Sequence, residues 1–447
     1  MSSYYDLYKE KLTTPEAAAA LVKSGDWLDY GWCTSHSYDF DRALANNLDH
    51  LRDVKVRGGV ALWTPEIIKA DPTGEHVAWH SWHSTGADRK AIQNGGAAFI
   101  PVKYSEILRL YRENVEPIDI MVFQVTPMDK HGYFNFGPNA SHTQAILERS
   151  RTVIVEINEH LPFCYGTREN FIHISDVDYI IEGTQGKIAA MPAGTFDDVD
   201  MAVAKIITDE IRDGDCLQLG IGGMPNAIGS LLAESDLKDL GIHSEFYVDA
   251  FVDLSEKGIV TGRYKPLDPY TQVYAFAAGT QRLYDFLDQN PACVTKTVDY
   301  VNGISSISKI PNFVSINNAI NVDLFGQVAS ETAGFKHISG AGGQLDFVLG
   351  AYASPGGRTY MCLSSTFTKR DGTMVSRIVP TLPTGSIVTD TRANAQFIVT
   401  EYGKFNCKGK STWERTEGLI NIAHPDFRDE LIESAEKLGL WRPSNKR

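Results

Sequence analysis

The chain has 447 residues, 43% of them hydrophobic, and a formal net charge of −14. This length exceeds what one hydrophobic core ordinarily holds, so we predict two large α/β halves. The negative charge argues against nucleic acid and anionic membranes as partners. The sequence has no apolar run of about 18 residues and no basic start followed by an apolar core, and we therefore expect a cytoplasmic protein.

The residue types that usually bind metals are scattered. Six cysteines stand without a CxxC pair, which argues against a zinc cluster or a disulfide framework and indicates thiols that fill a core. His76, His80 and His83 have the spacing of one helix face, but the serines and tryptophans between them do not predict a helix. We therefore predict no metal site. Trp79 and Trp82 are candidates for the lining of an acyl pocket.

In chain order, a helix is predicted to start at Thr13 or Thr14 and to run to Lys23. A strand within 24–31 follows, and helical and strand patterns alternate from there. Three stretches of the first half recur in the second half in the same order, which predicts two related halves that join between 197 and 215. The pairs are 24–31 with 213–220, 129–133 with 323–327, and 151–156 with 395–401.

The predicted fold class is therefore α/β, with two related open α/β halves and mainly parallel sheets. We place an N-terminal domain at 1–205 and a C-terminal domain, which carries the candidate catalytic acid, at 206–447. Glycines and prolines break the pattern after residue 251, before a strand at 272–277. This break predicts a small α+β sub-domain at about 251–308 in the second half.

A glycine loop follows the apolar strand 216–219. Gly220, Ile221, Gly222 and Gly223 let a ligand approach backbone N–H groups, and a helical pattern opened by Pro225 follows. Amides at a helix N-terminus favour negative charge, so the loop is a candidate oxyanion or phosphate site. A dinucleotide fingerprint is not matched, because Pro225 stands where the third glycine belongs.

Glu245 is a lone acid in a predicted strand, 243–248, made of β-branched and aromatic residues. Burying a carboxylate is costly unless a reaction uses it or a partner neutralises it. We interpret Glu245 as the candidate catalytic carboxylate. The alternative from the residues alone is a structural ion pair beside a tight strand-to-helix turn.

Further along the second half, the apolar strand 313–320 ends in two asparagines, and open sheets place ligands at the carboxyl ends of their strands. A second glycine loop spans 339–344. Asp371-Gly372 predicts a hairpin between flanking strands, and a helix is predicted from Asp426 to Leu438.

Together these residues resemble the acetyl-CoA hydrolase and CoA-transferase family, the glutamate-dependent class of CoA-transferases, over nearly the whole chain. Within the family, Lys23–Cys33 and Val56–Val60 are most similar to members of anaerobic bacteria that move CoA from butyryl-CoA to acetate. Members that use 4-hydroxybutyrate come next. The matching motifs are Leu219–Asn226, the Glu245 strand with Gly258–Gly262, Gly340–Gly343, Ser376–Pro380, Val399–Gly403 and Ile422–Arg428.

The resemblance implies that Glu245 is the nucleophile that forms a glutamyl-CoA thioester. Gln344 and Leu345 replace the Ser-Gly of other members, so the implied contacts end at Gly343. Glu401 matches a family acid that we interpret as structural. The implied oxyanion and CoA contacts are at Gly220, Ile221, Gly222, Gly223, Met224, Asn317, Ile320, Gly342 and Gly343.

The implied activity is CoA transfer from butyryl-CoA to acetate, with acyl-CoA and a short-chain carboxylate as partners. The CoA thioester is a substrate, and no further cofactor or metal is implied. We also expect a homo-oligomer from the resemblance. The alternatives are transfer to 4-hydroxybutyrate or propionate, acetyl-CoA hydrolysis, and, in a different class, a non-enzymatic acyl-CoA sensor.

Overall fold

The computed structural model describes residues 4–191 and 194–445. Its α-helices are α1 (Tyr4–Lys11), α2 (Pro15–Ala19), α3 (Asp39–Ala45), α4 (Glu66–Ala70), α5 (Arg89–Gln93), α6 (Ile107–Glu113), α7 (Thr143–Leu147), α8 (Asp198–Thr208), α9 (Gly223–Ala233), α10 (Asp249–Glu256), α11 (Gln281–Leu287), α12 (Val298–Val301), α13 (Ile304–Ile307), α14 (Gln344–Ala353), α15 (Thr412–Asn421) and α16 (Pro425–Lys437). Short 3₁₀ turns lie at Cys33–Ser35, Tyr104–Glu106, Arg168–Asn170 and Ile174–Asp176.

The strands of the first 192 residues are β1 (Leu12–Thr13), β2 (Trp27–Trp32), β3 (Val54–Gly59), β4 (Val77–Ser81), β5 (Ala97–Phe99), β6 (Ile118–Val125), β7 (Tyr133–Asn135), β8 (Ser150–Ile157), β9 (Tyr165–Gly166), β10 (Phe171–His173) and β11 (Tyr179–Glu182). The later strands are β12 (Cys216–Leu219), β13 (Gly241–Tyr247), β14 (Gln272–Ala277), β15 (Cys293–Thr295), β16 (Phe313–Asn318), β17 (Asn321–Asp323), β18 (Val328–Ala329), β19 (Thr332–Ala333), β20 (Lys336–His337), β21 (Arg358–Cys362), β22 (Thr366–Thr368), β23 (Met374–Ser376), β24 (Ile378–Val379), β25 (Phe397–Thr400) and β26 (Gly403–Asn406).

Contacts between residues divide the chain into two compact units. Of the described residues, the first unit holds 4–191, 245–247 and 272–301, and the second unit holds 194–244, 248–271 and 302–445. The predicted domains, 1–205 and 206–447 with a sub-domain at 251–308, rest on internal similarity rather than on contacts. The predicted domain bounds therefore remain a prediction, separate from the two units that the contacts define.

The first unit is built on an eight-stranded parallel sheet in the order β1-β11-β8-β6-β2-β3-β4-β5. Its central strands are apolar runs because helices and loops cover both faces. Leu28, Val56, Val122 and Ile154 come from four of these strands and are almost fully buried in one core cluster.

The second unit holds parallel strands in the order β25-β21-β16-β12-β13, with β26 antiparallel at the β25 edge. The order β11-β8-β6-β2-β3 in the first unit has the same pattern of crossovers, so the prediction of related halves with mainly parallel sheets is confirmed. The third sequence repeat pairs β8 with β25, yet β21 occupies the position of β8. Apolar runs in parallel sheets are alike, and their alignment is therefore ambiguous.

Several local predictions are confirmed because they rest on signals within the element. The strands 216–219 and 272–277 are β12 and β14, and Asp371-Gly372 lies between the paired strands β22 and β23. Thr14 caps α2, although this helix ends at Ala19, short of the predicted Lys23. The six cysteines are all buried free thiols.

Glycine permits the close packing of α9 on α10. A Cβ atom added at Gly229 would lie 2.4 Å from the Cβ and 3.3 Å from the Cα of Ala250. Because the obstacle is close to backbone, Gly229→Ala should force the helices apart and lower the free energy of unfolding by about 1–3 kcal/mol.

Urea titration checks this expectation, with Gly86→Ala as the matched control. Gly86 is exposed and an added Cβ would meet nothing within 4 Å, so the control should unfold at the wild-type midpoint. Equal midpoints for the Gly229 and Gly86 variants would contradict the packing argument.

Candidate functional site

The first glycine loop joins β12 to α9 in the second unit. Gly220 N–H donates to the Ile316 carbonyl of the neighbouring strand at 3.0 Å, which extends the sheet by one residue. Gly222 then has φ 114°, a conformation that side chains disfavour, and it caps the N-terminus of α9. The helix begins at Gly223, two residues before the Pro225 that marked it in sequence.

The next glycine is fixed by close contact rather than by φ. A Cβ at Gly223 would lie 2.5 Å from the Thr195 carbonyl oxygen and 2.6 Å from Asp200 Oδ2. Asn226 Nδ2 donates to the Gly194 carbonyl at 2.9 Å. Residues 194–200 therefore pack against the loop and hold its shape from one side.

Asn317 lies on β16, beside the first loop, and is buried. Its Nδ2 donates to Ser315 Oγ at 2.9 Å and to Gln218 Oε1 at 3.2 Å, and its Oδ1 accepts from Gln218 Nε2 at 3.2 Å. The amide is thus held in one orientation by side chains of two adjacent strands. The next residue, Asn318, donates from Nδ2 to the Ile221 carbonyl at 3.2 Å.

The second glycine loop ends at the N-terminus of α14. Gly342 has φ 52° and Gly343 caps the helix. Gln344 Nε2 donates to Ser330 Oγ at 2.9 Å, and Ser330 Oγ donates to the Asn318 carbonyl at 3.2 Å. Through Asn318, these bonds join the second loop to the first.

Both helices connect parallel strands, β12 to β13 and β16 to β21, so their N-termini lie at the carboxyl edge of the same strands. The free N–H groups and helix dipoles at this edge favour a negatively charged ligand. The structure therefore brings the predicted residues of the two loops and Asn317 together within the second unit.

The remaining predicted residues of this unit differ in exposure. The Ile221 side chain is half exposed, whereas Met224, in the first turn of α9, is buried. Ile320 N–H donates to the Ala329 carbonyl at 2.8 Å, where the chain leaves β16 toward β17.

A buried carboxyl group supports the second loop. Gln344 Nε2 donates to Asp390 Oδ2 at 2.6 Å, and Asp390 is fully buried. Burial raises the Asp390 pKa to about 6, against the effect of the Gln344 bond, and nearby Glu331 raises it further. Gln344 thus connects the loop to an internal acid.

Glu245 lies on β13 and groups with the first unit, where its side chain is half-buried. Burial raises the pKa of Tyr104 well above its usual value; the hydrogen bond with Ser141 opposes this shift, and the Glu245 charge adds to it. Tyr104 shares that hydrogen bond with Ser141 Oγ and stacks on Trp32, with ring centroids 4.4 Å apart. A buried phenol therefore lies within electrostatic reach of the candidate nucleophile.

The backbone around Tyr104 is strained. Ser141 has φ 33° and Cys33 has φ 53°, both in the left-handed region although neither is glycine, and both are buried. Asn139 Nδ2 donates to the Trp32 carbonyl and to Ser35 Oγ. A strained backbone conformation persists only where surrounding contacts enforce it. Such conformations are common at functional sites.

Tyr104 and Ser141 were not predicted from the sequence, and neither was Asn318 as a link between the loops. The paired residues are far apart in sequence and share no motif, so only long-range contacts identify them. The positive φ at a serine leaves no signal in the sequence either.

The histidines considered as metal ligands do not lie on one helix. His80 is on β4, and His76 Nδ1 contacts Arg52 and the Leu51 carbonyl. Trp79 and Trp82 are buried with their indole N–H groups bonded to Asp88 Oδ2 and Tyr111 Oη. Their role in an acyl pocket stays a prediction.

Comparison with known proteins agrees with this arrangement. The N-terminal domain of acetyl-CoA hydrolase/transferase matches residues 1–192, and the C-terminal domain matches residues 279–435. The chain belongs to the acetyl-CoA hydrolase/transferase family. A relative in this family from Anaerostipes caccae, named butyryl-CoA:acetate CoA-transferase, is 56% identical over 99% of this chain and 100% of that protein.

Solved structures of similar proteins share the fold. RipA from Yersinia pestis has a TM-score of 0.89 and 36% identity, with 98% of this chain and 100% of that chain covered. The 4-hydroxybutyrate CoA-transferase of Porphyromonas gingivalis has a TM-score of 0.79 and 31% identity at the same coverage.

Within residues 4–191 and 194–445, every helix is too short or too polar to cross a membrane.

The raised pKa of Asp390 predicts a pH dependence of stability in this family member. The folded pKa of about 6 exceeds the ordinary carboxyl value of 3.8. Between these two pH values the folded state binds a proton that the unfolded state has lost, so stability falls as pH rises from 3.8 to about 6. Asp390→Asn keeps an acceptor for Gln344 but cannot ionise. Its stability relative to wild type should therefore rise by about 1–2 kcal/mol between pH 5 and pH 8.

Urea unfolding at the two pH values measures this change. Asp236→Asn, at an exposed site, serves as the control and should track wild type at both. A constant difference between the Asp390 variant and wild type would show that Asp390 does not titrate in this range.

Proposed function

We propose that the chain is an enzyme that transfers CoA from butyryl-CoA to acetate, giving butyrate and acetyl-CoA. The observation that carries this proposal is the 56% identity over 99% of the chain to a relative named for that reaction. Two helix N-termini joined at one sheet edge support it, because they suit the anionic groups of a CoA ester.

Glu245 is the proposed nucleophile. A carboxylate oxygen of Glu245 attacks the thioester carbonyl carbon, the C–S bond breaks, and CoA leaves as a thiolate. The thiolate then attacks the Glu245 carbonyl carbon of the resulting anhydride, which releases butyrate and leaves a glutamyl-CoA thioester. Acetate reverses both steps, so the thioester bond energy is conserved without ATP.

The proposed oxyanion and CoA contacts come from the two loops. Backbone N–H groups of Gly222, Gly223 and Gly343 are candidate donors to the tetrahedral intermediates, and Asn317 is a candidate side-chain partner. The orientation of Asn317 is supported by its bonds to Gln218 and Ser315. Loss of one such donor typically slows a reaction by about 10²–10³-fold.

The first experiment replaces Glu245 by Gln, which preserves size but removes the nucleophilic carboxylate. We expect the exchange of labelled acetate into acetyl-CoA to fall by on the order of 10⁴-fold or more, as for other covalent nucleophiles. Glu433→Gln, exposed on α16, is the control and should exchange at the wild-type rate.

Borohydride reduction locates the intermediate in the wild type. After incubation with butyryl-CoA, we expect mass spectrometry to find one reduced side chain, at Glu245. Reduction at Glu156 or Glu401 instead would identify that residue as the nucleophile. We expect neither, because both carboxylates already accept hydrogen bonds from backbone N–H groups.

Other acceptors and water are the competing substrates. The similarity to a 4-hydroxybutyrate CoA-transferase makes that acid, with propionate, the second candidate. One methylene is worth only about 1–3 kcal/mol in a pocket, so a ranking needs measured rates. We expect kcat/KM with butyryl-CoA to be highest for acetate among these three acids.

Butyrate release without any acceptor measures hydrolysis, and we expect it to be much slower than transfer. Release that is equally fast without acetate would identify a hydrolase. CoA esters that stay bound and unchanged would identify a sensor. We also propose that the protein is located in the cytoplasm and forms a homo-oligomer.

A further inference from the structure

Arg377 lies in Ser376–Pro380, one of the segments that resemble the family motifs. Its backbone is held at the carboxyl edge of the second unit's sheet: Arg377 N–H donates to the Ser365 carbonyl at 2.8 Å, and its carbonyl accepts from Val322 N–H at 3.0 Å and from Asn321 Nδ2 at 3.2 Å. Asn321 directly follows Ile320, one of the predicted CoA contacts. The residue is therefore anchored beside the candidate site.

The Arg377 side chain is half-buried, and no carboxylate of the described part of the chain forms an ion pair with it. Within residues 4–191 and 194–445, no acceptor receives a hydrogen bond from its guanidinium group; the ring of Phe367 lies 5.5 Å from it. Burial lowers the Arg377 pKa, and the charges of Glu401 and Asp200 oppose this shift. Five N–H donors are thus partly removed from water without an acceptor among the residues that the structure describes.

The two nearby carboxylates are occupied elsewhere. Glu401 accepts from Ser365 N–H at 2.9 Å and from Ser365 Oγ. Asp200 closes the capping box of α8 by accepting from Asp197 N–H at 3.4 Å. The Asp200 charge acts on Arg377, and Asp200 also lies against Gly223 of the first glycine loop. The Arg377 guanidinium group is therefore within electrostatic range of a residue that packs on this loop.

We propose that Arg377 binds an oxyanion of the substrates. This inference rests on the proposed function and adds to it a charged residue of the site. Two substrate groups share the required chemistry, the phosphates of CoA and the carboxylate of the acid. A planar guanidinium group suits either one because it can donate two parallel hydrogen bonds.

The test compares Arg377→Gln with wild type on two thioesters, butyryl-CoA and S-butyrylpantetheine, which lacks all phosphates. If Arg377 binds CoA phosphate, its loss should raise the KM for butyryl-CoA by about 10- to 100-fold and leave the KM for S-butyrylpantetheine unchanged. If it binds the acid, the KM for acetate should rise by a similar factor with both thioesters. In either case Arg377→Lys, which keeps the charge, should recover part of the loss.

Arg442→Gln is the matched control, because Arg442 also lies over an aromatic ring, Trp413, in the same unit but is exposed. It should show wild-type KM values. Unchanged KM values for butyryl-CoA and for acetate in both Arg377 variants would overturn the inference. A lower thermal midpoint together with these unchanged KM values would indicate that Arg377 has a purely structural role.

Calorimetric titration of CoA into the same variants measures binding without turnover. It separates the two proposals: a wild type that binds CoA but exchanges nothing would refute the proposed function. An equal Kd for wild type and Arg377→Gln, with an unchanged KM for acetate, would refute the role of Arg377.

Discussion

A chain of hydrogen bonds across one sheet edge is the constraint on which the candidate site depends. Asn318 binds the Ile221 carbonyl of the first glycine loop, Ser330 binds the Asn318 carbonyl, and Gln344 binds Ser330 at the start of α14. Each loop precedes a helix, and the first N–H groups of a helix have no partner within it. The bonds therefore hold two sets of donors at a fixed separation, which a ligand with several oxygens requires.

The same constraint depends on Gln344, at the end of the second loop. Gln344 donates to both Ser330 and Asp390, so one amide ties the second loop to a fully buried acid. A buried carboxyl group costs free energy in its charged form, and burial accordingly raises the Asp390 pKa to about 6. The loop geometry is thus maintained at the expense of stability, which falls as pH rises from about 4 to about 6 and Asp390 loses its proton.

The first unit organises the surroundings of Glu245 differently. Tyr104, Ser141 and Trp32 form a buried cluster of hydroxyl and aromatic groups within electrostatic reach of Glu245. Strained backbone at Ser141 supports this cluster and indicates that its geometry matters more than local backbone energy. A nucleophile that must attack and then be attacked benefits from surroundings that exclude water.

The sequence alone determined the local elements: β12 and β14, both glycine loops, the hairpin at Asp371-Gly372 and the α/β class. These depend on residue types close together in the chain, such as apolar runs, glycines and turn residues. Tertiary structure alone decided the contacts of Asn318 with Ile221, of Tyr104 with Ser141, and the place of Arg377 at the sheet edge. Such contacts join residues from distant elements, and their partners are chosen by strand order, which apolar strands of similar composition do not encode locally.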